Sequence, residues 1–176
     1  MDERRLFLIG DVPGFSPQIG RLVSMMNYAR HTTLSAVEGL EPRHLDYLHD
    51  THSNSIGALL SHVAAVEAAY QAGTFHSRDL NWDETREWGA ALDLGERARR
   101  EIRGHDLTYY TERLGRVRAT TLAELGRRGD EWLDEESRFW GGLAANNYFK
   151  WFHVFEDELS HRGQIRWLRM RALAAV

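Results

Sequence analysis

From Asn146 to Leu173 the chain holds no proline and one glycine, and its apolar residues return at intervals of three and four. That is the period of an amphipathic helix, and its length predicts a core helix. Three further segments share the period. Ile19, Leu22, Val23, Met26, Ala29 and Leu34 predict a helix over 16–38, opened by a cap and first-turn proline at Ser16-Pro17 and closed by Gly39. Ile56, Leu59, Leu60, Val63 and Val66 follow a capping residue at Ser53, Asn54 or Ser55. Tyr109, Leu114, Val117, Leu122 and Leu125 predict a helix over 106–128. Between the second and third helices, from Gly73 to Gly104, the pattern loosens into polar residues with isolated aromatics and a charged, short helical piece from Leu92 to Ile102. So long a crossover is a candidate lid or dimer surface. Residues 40–48 connect the first two helices through one amphipathic turn, and Asp130 to Gly142 leads to the last helix through a Gly141-Gly142 break. Leu6 to Ile9 is a short apolar run before a turn at Asp11 to Phe15. No repeat and no strand pattern long enough for a sheet appears. The expectation is an all-α protein: one four-helix domain over residues 1–176, with a long crossover between helices two and three.

Composition narrows the function classes. A net charge of -4 with interleaved acids and bases gives no basic nucleic-acid face and no patch for an anionic membrane. The absence of cysteine excludes disulfides, zinc ribbons and thiol nucleophiles of the protein itself. There is no signal-peptide pattern and no apolar run near the roughly 20 residues of a membrane span, so a cytoplasmic location is expected. Nine histidines and six tryptophans are the two surpluses. Histidine on a cysteine-free chain is compatible with metal binding through nitrogen and oxygen, and placement decides.

Within the last helix His153, Asp157 and His161 lie four residues apart, with Glu158 three residues before His161. A four-residue step rotates a helix by only about 40°, so the three form a stripe, one turn apart. Phe149, Trp151, Phe152, Ile165, Trp167 and Leu168 flank it. Ionisable groups facing a bundle interior must be paired, neutral or metal-bound; the alternative is that Asp157 and Glu158 face water. His62, three residues after Leu59 and four before Val66, points into the bundle as a satisfied core histidine or a ligand. The remaining histidines carry less. His49 and His52 precede a helix cap and read as loop surface, and His31, His44, His76 and His105 have no partner pattern. The arginines at 127–128, 97–103 and 166–171 read as solvated faces. No glycine-rich phosphate loop and no nucleophile elbow is present.

Ser55-Ile56-Gly57 leading to Leu59-Leu60-Ser61-His62-Val63 and Glu67, together with Trp151 to His161 and Arg162-Gly163-Gln164-Ile165, resembles the DinB-like superfamily of four-helix-bundle metalloproteins. The resemblance covers nearly the whole chain. It implies an up-down-down-up bundle, a homodimer, and one divalent metal held by a histidine of the second helix and two residues four apart in the last. His62 and His161 are then ligands. At the third position many members carry histidine where this chain has Asp157, an acceptable oxygen ligand, with His153 and Glu158 as substitutes. A single Glu-x-x-His does not make a two-metal site.

The superfamily includes thiol-dependent transferases and isomerases as well as metal-dependent hydrolases. The leading expectation is therefore a metal-dependent enzyme in which zinc, nickel, iron or manganese activates a low-molecular-weight thiol, or water, for attack on a small electrophile. Glu156, Glu158 or His153 would accept the proton. Two alternatives remain: a metal-dependent hydrolase, and a non-catalytic or stress-related bundle binding metal or protein partners. For the second, Trp82, Trp88, Trp132 and Trp140 would be core or interface. An open, solvent-reachable coordination position beside a cleft favours an enzyme.

Overall fold

The computed structural model describes residues 6–175. Four long helices make the body: α1 (Pro17–Ser35), α3 (Ile56–Phe75), α6 (Leu107–Leu125) and α7 (Asn147–Ala175). Short helices occupy the connections, α2 (Pro42–Leu45) between the first pair and α4 (Trp82–Asp93) and α5 (Gly95–Glu101) between α3 and α6. The direction of each long helix follows from its cross-helix bonds. Thr32 meets Arg162 and Ala36 meets Arg169, so α1 and α7 run parallel. Arg30 reaches the Leu114 carbonyl while Arg118 reaches that of Met26, so α6 runs against α1. Gly57 packs on Tyr110 and Gln71 bonds Thr121, placing α3 parallel to α6. The order is up-down-down-up, as the resemblance implies.

Ser55 caps α3 by accepting the Ala58 amide, and Asp106 caps α6 through that of Tyr109. At α1 the cap is remote. The Ser16 hydroxyl turns away and donates to Asp130, which also accepts the Gln18 and Ile19 amides, satisfying orphan donors across 111–114 residues of sequence. The crossover is folded against the bundle: α4 lies on α3 and buries Trp88, over which the Arg113 guanidinium stacks at 4.3 Å. Before α7 the chain forms a small antiparallel ribbon, β1 (Glu136–Arg138) with β2 (Ala144–Asn146), pairing Ser137 with Ala145. Three-residue strands leave no alternating signature in the sequence.

Two apolar clusters fill the bundle. One gathers Ile56, Leu59, Leu60, Leu114 and Leu168, the other Ile19, Leu22, Met26, Leu125 and Trp151. At mid-bundle each long helix contributes one charge to a buried network: Arg30, Glu67, Arg118 and Glu158. Arg30 Nε donates to Glu158 Oε1 at 2.8 Å and its Nη2 to Glu67 Oε2 at 3.0 Å; Arg118 Nε donates to Glu67 Oε1 at 2.8 Å and its Nη2 to Glu158 Oε2 at 3.4 Å. Thr121 adds a hydroxyl bond to Glu67 at 2.6 Å. Two cations and two anions thus neutralise one another where an isolated charge would be prohibitive.

Candidate metal centre

Four-residue spacing on α7 and an apolar row on α3 bring His62, Asp157 and His161 together. Each offers one ligand atom, and these atoms lie within 4.8 Å of one another. His62 Nε2 stands 3.7 Å from Asp157 Oδ2 and His161 Nε2 3.4 Å from Asp157 Oδ1. The two imidazole rings meet edge to face, centroids 4.7 Å apart. Ligand atoms about 2.1 Å from one ion at the tetrahedral angle would be about 3.4 Å apart, so the spacing suits a shared cation. Asp157 Oδ2 is buried without a hydrogen-bond partner, an arrangement that an electrophilic cation would relieve; His161 Nδ1, the ring nitrogen other than the Nε2 that faces Asp157, is also buried without one. The three side chains are 12–18% exposed, so the group is shielded but reachable from outside.

The protonation states suit ligation. Burial is the main influence on His62 and holds it below the ordinary histidine value, against the opposing pull of the Ala91 carbonyl and Asp157. Burial acts to raise Asp157, but the His161 bond and the charges of His161, His62 and His153 outweigh it, and the carboxyl sits below its usual range. A neutral imidazole and an ionised carboxylate are the forms that bind metal. His62 Nδ1 lies 2.8 Å from the Ala91 carbonyl. Only a protonated Nδ1 can donate there, which leaves Nε2 as the lone-pair nitrogen facing Asp157.

The other candidates are placed differently. Glu158, one residue past Asp157, turns about 100° away into the core, where it is fully buried between Arg30 and Arg118. It is not among the three converging side chains. His153 lies one turn outside the group; its Nδ1 is 3.0 Å from Glu156 Oε2, and its ring packs against Tyr70, Phe139 and Phe149. Among the other histidines, His44 closes a capping box with Glu41, His49 packs on Trp167 and His105 stacks on Tyr109. Two neighbours of the group escape a sequence reading. Ala91 acts through a backbone carbonyl and leaves no side-chain signal. Tyr70, eight residues after His62 on the same helix, has a buried hydroxyl with no hydrogen-bond partner, and burial together with the Asp157 charge pushes its pKa up. Its eight-residue spacing from His62 was the available clue.

No helix among the described residues is long and apolar enough to cross a membrane. No curated protein matches the chain. Among solved structures, the crystal structure of a conserved protein from Enterococcus faecalis is similar in fold, with a TM-score of 0.70 at 15% identity over 87% of this chain and 95% of that one. The family model described as mycothiol-S-transferase matches residues 21–172, which take in most of all four long helices and the three converging side chains. The chain belongs to the mycothiol-S-transferase family, within the DinB-like superfamily.

Proposed function

We propose that this protein is a metal-dependent thiol S-transferase in which His62, Asp157 and His161 hold one divalent cation and mycothiol, the thiol in the family's name, is the nucleophile. The observation that carries this reading is the convergence of two imidazoles and a carboxylate from two helices, with a buried carboxylate oxygen lacking a hydrogen-bond partner. Two nitrogens and one oxygen suit zinc, nickel, iron or manganese and leave coordination positions for a substrate. A divalent ion so held supplies Lewis acidity that lowers the pKa of a bound thiol.

The chain's own groups do the rest. Ala91 fixes the tautomer of His62, and Asp157 supplies the negative charge that balances a cation. His153, oriented by Glu156 one turn from Asp157, takes the proton leaving the thiol sulfur. Tyr70, whose pKa is pushed up by burial and the Asp157 charge, serves as a hydrogen-bond donor rather than as a base. The sulfur forms a C–S bond to the electrophile as the leaving group departs with its electron pair.

Elemental analysis of tag-free protein beside His62→Ala and His161→Ala tests the reading, followed by assay of mycothiol conjugation to monobromobimane. Near-stoichiometric metal in the wild type, with both metal and conjugation lost in each variant, is the expected result. Metal content unchanged in both variants, or metal-loaded wild type no faster than the variants, overturns it.

A further inference from the structure

Beside the metal stripe lies a groove of about 370 Å³ whose walls include Tyr70, Phe139, Arg138 and Lys150. Lys150 is only 5% exposed, yet its ammonium is given a neutral partner, the Ser137 hydroxyl. No carboxylate lies within ion-pair distance of it among the described residues. Burial alone acts on the group and holds its pKa below the ordinary lysine value, with no neighbouring charge to offset it. Its position adds to the imbalance: Lys150 stands in the first turn of the 29-residue α7, a turn without acidic residues, where the helix dipole is positive. Among the described residues the buried arginines, Arg30 and Arg118, are each matched by a carboxylate. Arg138, exposed on β1, has no ion pair among the described residues and lines the same groove; one acid, Asp79, also lines it. The groove therefore presents two cations against one anion.

We infer that this groove binds the carboxylate of an elongated organic substrate, with Lys150 and Arg138 as its recognition groups. Lys150 precedes Asp157 by seven residues, about 10 Å along the helix at 1.5 Å per residue. The rings of Tyr70, Phe139 and His153 cover the interval and supply an apolar wall for the substrate's body. Arginine and lysine together give the charge-assisted bonds a carboxylate requires. That the other end of the substrate is the electrophile rests on the S-transferase reading; the anion site itself does not.

Isothermal titration with 4-methylcinnamate and its uncharged carboxamide separates the two. Wild type should bind the carboxylate about tenfold more tightly than the amide, the worth of one charge-assisted contact. The preference should vanish in Lys150→Met, survive in Lys150→Arg, and shrink in Arg138→Ala, an exposed site whose substitution leaves the core untouched. It should persist in His161→Ala. Equal affinities in wild type, or a full preference in both Lys150→Met and Arg138→Ala, overturns the inference. A persistent preference in a protein that conjugates no thiol upholds the anion site and removes the S-transferase reading instead.

Discussion

Glu67 shows how much can hang on one side chain. Its carboxylate accepts from Arg30, Arg118 and Thr121 and is fully buried. Burial by itself raises its pKa, but the two guanidiniums and the hydroxyl outweigh it and hold the group low. Glu67→Gln leaves two buried guanidiniums facing a single carboxylate, an uncompensated charge that costs about 3–5 kcal/mol. Urea denaturation at pH 7 should show that loss, and a loss below about 1 kcal/mol would mean that the network contributes little. The pH dependence has a fixed sign. Because the folded-state pKa is depressed, the stabilisation is complete above the ordinary value of 4.5 and disappears as pH falls through the lower folded value. The advantage of wild type over Glu67→Gln should therefore be full at neutral pH and shrink below 4.5.

At the scale of elements, the crossover proves to be part of the site's support. Helix α4 begins at a capping box between Asn81 and Glu84, buries Trp88, and ends beside the Ala91 carbonyl that meets His62. Trp88→Leu keeps every ligand and loosens that helix; metal affinity should fall about tenfold, as for other groups that orient a ligating histidine. Competition with a chromophoric chelator measures it, and unchanged affinity would show that α4 does not position His62. The long helices were legible because each carries an apolar stripe over many turns; 16–38 shortened to Pro17–Ser35 and 106–128 to Leu107–Leu125, since end residues bear no periodic signal. The stripe His153, Asp157, His161 was legible for the same reason. The roles of its members were not. Asp157 and Glu158 are adjacent carboxylates, and which faces the core depends on Arg30 and Arg118 from two other helices, residues that sit in the apolar rows of α1 and α6 like interruptions. Backbone partners such as Ala91, and caps such as Asp130, belong to the tertiary fold and have no local signature.

Across the whole molecule the charge network and the candidate metal centre are two faces of one construction. The four-charge layer ties all long helices together between the two apolar clusters, and the step from Glu158 back to Asp157 carries that fixed register out to His62. The candidate ligands on α3 and α7 are thereby held within 4.8 Å of one another, whereas along the chain they are 95 and more residues apart. A cation that binds only the folded site stabilises it by mass action, about 2.7 kcal/mol at a free concentration one hundred times Kd. For a protein of this size 1 kcal/mol corresponds to about 2–4 °C, so saturating zinc or manganese should raise Tm by about 5–10 °C. The rise should grow with the logarithm of metal concentration and be absent from His161→Ala. An equal rise in that variant would place the stabilising ion elsewhere, because removing one of three ligands cannot leave the linkage at this centre intact.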